Sequence, residues 1–160
     1  MRQDLFRSAV NFMRPREGRW PTRLETTVFI PLCALEFVGI EMGKQPDQYP
    51  QILRHYLENC VDVPVYAHMF AYVAAMHSIS MGLSETASTH LTSLRNRVFC
   101  AMLMGYGFEG YVAMTEPGRT FDFVDCGLYT AAGLLFIKGI EAGNRQLESM
   151  YHRFNGCHPA

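Results

Sequence analysis

The sequence predicts an all-α protein, a compact multi-helix bundle in a single domain over residues 1–160. Three observations predict it: apolar residues recur at helical spacing, helix-starting residues precede the apolar runs, and no stretch alternates with period two between hairpin turns. Of the 160 residues, 49% are hydrophobic and 18% charged, less than the roughly 25% charge usual in globular chains. That composition excludes a disordered or purely solvated polymer.

The first predicted helix covers residues 3–14. A second is predicted over residues 22–43, where Thr22 and Glu25 form a T-x-x-E capping box and Gly43 offers a left-handed end. Pro46 and Pro50 then force a loop before a short helix over residues 50–60. Residues 63–84 hold no Asp, Glu, Lys or Arg, which is long enough to span a bilayer. His68, His77, Ser78, Ser80 and Pro64 weigh against insertion, so a buried central helix and no membrane association are expected.

From Ser84, read as an N-cap with Glu85 complementing the helix start, a helix is predicted to about residue 104 and onward toward 115. Ala87, Leu91, Leu94, Val98, Ala101 and Gly105 fall at spacings of 4, 3, 4, 3 and 4 and form its inward stripe. The glycines of GYGFEG, residues 105–110, predict a break in that tract. The last long helix is predicted over residues 122–143, capped by Asp122 with Asp125 at the third position.

The two long helices resemble each other. Residues 18–43 and 118–143 align without gaps and are identical at seven positions, including Leu35/Leu135, Ile40/Ile140 and Glu41/Glu141. Gln51, Ile52 and Tyr56 match Gln146, Leu147 and Tyr151 further on. An internally duplicated helical unit, residues 18–60 and 118–155, is therefore expected.

Candidate chemistry is sparse. Glu41 and Glu141 would form a polar pair at the repeat interface if a pseudo-twofold axis related the copies, a place for acid/base work. Lys44 and Lys138 lie three residues away on the same helices and offer ordinary surface pairing instead. There is no Glu-x-x-His pair, phosphate loop or nucleophile triad, so no catalytic residue, metal or cofactor is assigned. The odd set Cys33, Cys60, Cys100, Cys126 and Cys157 contains no CxxC, and free, mostly protected thiols in a reducing cytoplasm are expected.

Charge is uneven. Residues 1–23 hold six arginines against Asp4 and Glu17, a balance of +4, while residues 24–160 hold 8 basic and 13 acidic groups, a balance of -5. The total of -1 excludes a uniformly basic nucleic-acid binder. Arg14, Arg16, Arg19 and Arg23 surround Trp20, a set suited to bidentate recognition of carboxylate or phosphate. The expected function is a non-enzymatic protein-protein interaction module, of the adaptor, secretion or assembly chaperone, or toxin-immunity type. Another protein, or a second copy in a homodimer, is the expected partner. A nucleic-acid-binding regulator using residues 2–23 is one alternative, and a small-ligand-binding or carboxylate-dependent helical enzyme is the other.

Overall fold

The fold was obtained as a computed structural model, which describes residues 2–15, 21–44, 48, 50, 57, 60–67, 69–70 and 93–156. These residues are all-helical, as the sequence predicts, and no strand occurs among them. The helices are α1 (Arg2–Met13), α2 (Arg23–Gly43), α3 (Leu94–Thr115) and α4 (Phe123–Asn155), with a further helical segment at 60–67.

Cap chemistry sets the helix starts. The Thr22 hydroxyl accepts from the Glu25 amide, Ser93 from Asn96, and Asp122 from both Val124 and Asp125. Thr22 and Asp122 thus cap at equivalent positions of the two aligned segments. The ends differ. Helix α2 stops at Gly43 with Lys44 as a right-handed cap, whereas α4 continues through Gly143 to a left-handed Gly156. The expected left-handed end at Gly43 and the expected helix end at residue 143 are therefore corrected. Gly143 instead admits Leu24, whose Cδ2 lies 2.5 Å from where a Cβ would stand. The aligned residues also differ in environment: Ile140 is buried and Ile40 is exposed.

Helix α3 runs unbroken through GYGFEG, against the expected break. Gly105 is needed for close approach, because a Cβ there would meet the Tyr129 ring at 2.7 Å. The Ser84 cap, the helix at 50–60 and most of the uncharged stretch lie outside the described residues; 60–67 is helical.

Helices α3 and α4 are antiparallel. Arg95 meets Glu141, Val98 and Met102 pack at Gly133, and Tyr106 meets Thr130. Helix α2 starts beside Gly143 and Asn144, packs against α4 and runs in the same direction as α3, while segment 60–67 runs the opposite way, from the level of Tyr129 to that of Arg97. The core holds Val63, Ala67, Leu94, Val98, Phe136 and Ile140. The predicted stripe of Leu94, Val98 and Ala101 is buried. Beyond Asn144, α4 leaves the bundle and pairs with α1: Phe6 sits edge-on to Phe154, and Arg7 donates to Asn155 at 2.7 Å.

Candidate functional site

Four ionisable side chains, Glu25, Arg97, Glu109 and Asp125, are buried in this bundle beside its apolar core, while many large apolar side chains lie outside. The Arg97 guanidinium donates to both oxygens of Glu25, at 2.7 and 2.9 Å, and to the Ala67 carbonyl at 2.5 Å. The two side chains are 1% and 0% exposed. Glu25 therefore completes only half of the predicted capping box: its amide binds Thr22, while its carboxylate turns inward to α3. Glu109 and Asp125 are likewise buried, and the Tyr129 hydroxyl donates to Glu109 at 3.4 Å.

At the end where α2 finishes and the α3–α4 turn lies, these groups border a cleft of about 750 Å³. Its walls carry six carboxyl groups, Glu36, Asp62, Glu109, Glu116, Asp122 and Asp125, against the single guanidinium of Arg119. Tyr66, Phe108 and Tyr129 supply aromatic surface. Such walls repel anions and favour cationic or hydrogen-bond-donating groups. Among the described residues, no group of three or more His, Cys, Asp or Glu side chains is arranged to hold a metal ion.

The opposite end is basic. Arg7, Arg14, Arg23, Arg95, Arg145 and Arg153 lie on or just after α1, at the starts of α2 and α3, and on the protruding part of α4. The cleft end has only Lys44 and Arg119 among the described residues.

The residues singled out from the sequence scatter over this frame. Arg14 lies 3.5 Å from Glu148 and 3.9 Å over the Tyr151 ring, and Arg23 covers Phe12 and donates to its carbonyl. Both are engaged within the chain. Arg16, Arg19 and Trp20 lie outside the described residues. Glu41 and Glu141 are not brought together. Glu41 pairs with Lys44 where α2 ends, and Glu141 pairs with Arg95 at 2.8 Å, near where α2 begins. Sixteen residues of α2, about 24 Å of helix, separate Glu25 from Glu41. Of the thiols expected to be free and mostly protected, Cys33, Cys60, Cys100 and Cys126 are free; Cys33 and Cys126 are half-buried, Cys60 and Cys100 are exposed, against the expected protection, and Cys157 lies outside the described residues.

The outer surface is the feature that sequence reading missed. Ile30, Leu35 and Phe37 on α2, Phe99, Leu103 and Phe108 on α3, and Leu134 and Leu135 on α4 are all exposed. No described residue within 26–40, 98–115 or 126–137 presents an exposed charge. Helices α3 and α4 are each long and apolar enough to cross a membrane, yet only 11% and 28% of their most apolar 18-residue stretches is buried. A core helix of a water-soluble bundle would be mostly covered. Comparison of the chain with known protein families, with curated proteins and with solved structures finds no match.

Proposed function

We propose that this protein is an integral membrane protein, a helical bundle whose apolar exterior faces lipid and whose polar interior opens as an acidic cleft at one end. The observation that carries this reading is the low burial of the two longest apolar helices. In water, that much exposed apolar surface is an aggregation hazard; in a bilayer it is the ordinary exterior.

Lengths support it. Helix α3, with 22 residues, is about 33 Å long and α2, with 21, about 32 Å, against a hydrocarbon thickness of about 30 Å. Helix α4, with 33 residues, is about 50 Å long, so its last turns stand clear of the bilayer and pair with α1.

Placement of polar groups supports it too. Charges inside spanning helices face the bundle interior and pair, as Glu25 and Arg97 do. Lys138 is exposed but lies near the basic end, where a lysine snorkels to the headgroups. Pro31 inside α2 and the close helix approaches at Gly105, Gly133 and Gly143 are ordinary in lipid-embedded bundles. The working site in this reading is the cleft, whose charge favours a cationic ligand.

Extraction of native membranes with alkaline carbonate tests the proposal. The protein stays in the pellet and is released by detergent; recovery in the carbonate supernatant rejects membrane integration.

A second reading keeps the chain water-soluble and cytoplasmic, as an interaction module whose apolar faces are covered by a partner protein. Exposed Leu5, Phe6 and Phe12 beside arginines on α1 favour it, because they form an amphipathic docking face outside the spanning region. It expects the protein in the soluble fraction, bound to that partner.

A further inference from the structure

Resting on the membrane reading, we infer that the basic end of the bundle lies against the anionic headgroups of the cytoplasmic leaflet, so that the acidic cleft opens into the compartment on the other side. The partner of the basic surface is thus anionic phospholipid.

Three observations lead there. First, charge is segregated along the axis of the bundle. Nine described Lys or Arg residues lie on the side of α1 and the α4 tail, Lys138 and the Glu25-bound Arg97 included, against four carboxyl groups there, Asp4, Glu25, Glu141 and Glu148; two lie at the cleft end, where six carboxyl groups line the walls. Lys and Arg in short segments near span ends set orientation, and the richer side is retained in the cytoplasm.

Second, the segments before and after the bundle sit together. Arg7 donates to Asn155, Phe6 packs on Phe154, and Arg14 lies over Tyr151. An even number of crossings follows, which matches the alternating directions of α2, segment 60–67, α3 and the first part of α4. Third, α1 combines exposed Leu5, Phe6 and Phe12 with Arg7. A helix of that kind lies in the headgroup plane, with apolar side chains in the acyl boundary and guanidiniums on phosphates. Each basic residue near an anionic surface adds attraction, and the cleft end has little to compete with it.

The test is epitope mapping on the full chain in sealed right-side-out vesicles. One tag precedes residue 1 and a second is inserted in the exposed α3–α4 turn, at Gly118. The turn tag is expected to bind antibody in intact vesicles, and the N-terminal tag only after permeabilisation. The reverse pattern overturns the orientation, as does access to both tags in intact vesicles. Carbonate extraction of the same vesicles separates the two failures: release into the supernatant rejects the membrane reading, while retention with inverted tags rejects the orientation alone. As a check on cause, Glu116→Lys with Thr120→Lys puts two positive charges on the turn. It is expected to expose the N-terminal tag in at least a tenth of the molecules; unchanged accessibility of both tags contradicts control by charge.

Discussion

Arg97 and Glu25, 72 residues apart in sequence, form a two-pronged ion pair that water does not reach. It ties the first turn of α2 to the first turn of α3, and the third Arg97 contact, to the Ala67 carbonyl, adds segment 60–67. Removing one partner strands a buried charge, which costs about 3–5 kcal/mol, whereas replacing both with apolar groups of similar size is often neutral. Arg97→Met should therefore lower the urea midpoint of the detergent-solubilised protein steeply, and Arg97→Met with Glu25→Leu should recover most of the loss. Equal midpoints for the parent and Arg97→Met would show that the pair is not buried in solution.

Gly133 and Gly127 lie on the same helix and should respond oppositely to substitution. A Cβ at 133 would stand 2.9 Å from both Met102 Sδ and Val98 Cγ1, while a Cβ at 127 would meet nothing within 4 Å. Gly133→Val is expected to separate α3 from α4 at a cost of about 1–3 kcal/mol. Gly127→Ala should raise stability by about 0.5–1 kcal/mol through helix preference alone. Thermal unfolding followed by circular dichroism decides between this opposition and a uniform response.

Cap residues Thr22 and Asp122 make the same contact at equivalent positions of two helices. Thr22→Ala and Asp122→Ala should each cost about 1 kcal/mol, because each leaves one or more first-turn amides without an acceptor. Loss at one site with no effect at the other, in chemical denaturation, would mean that one of these helices does not begin where the cap places it.

Cys100 separates the two proposed settings. It is exposed beside Phe99, on a face of α3 without exposed charge. A bilayer shields such a thiol from a charged, water-soluble maleimide, and sodium dodecyl sulfate uncovers it. Mass spectrometry of labelled membranes should find Cys100 unmodified before detergent and modified after. Rapid labelling without detergent would favour the water-soluble module.

Much of the skeleton was legible from local chemistry. The α2 and α4 starts follow from Thr22 and Asp122, and the stripe through Leu94, Val98 and Ala101 is buried as its spacing predicts. Glycine was ambiguous, because one residue type serves both left-handed ends and close approach. Gly143 does the second for Leu24, and the left-handed turn falls at Gly156 instead. The partner of Glu25 was not legible, since no local pattern points across 72 residues to Arg97. Nor was the outward direction of Leu103, Phe108, Leu134 and Leu135, because composition counts apolar residues without saying which way they face. Only the uncharged 63–84 signalled spanning length, and its histidines and serines read equally well as a buried core.

Bromolipid quenching tests most directly whether the outer faces of α3 and α4 touch acyl chains. Trp20 is the only tryptophan in the sequence, so a Trp20→Phe background reports on a single introduced indole. Leu103→Trp and Leu135→Trp place it on the outer faces, and Glu116→Trp places it in the α3–α4 turn. In vesicles of phosphatidylcholine brominated at mid-chain, the indoles at 103 and 135 should be strongly quenched by bromine and shielded from aqueous iodide, with the indole at 116 showing the reverse. Iodide quenching at 103 and 135 without bromine quenching would contradict the membrane account.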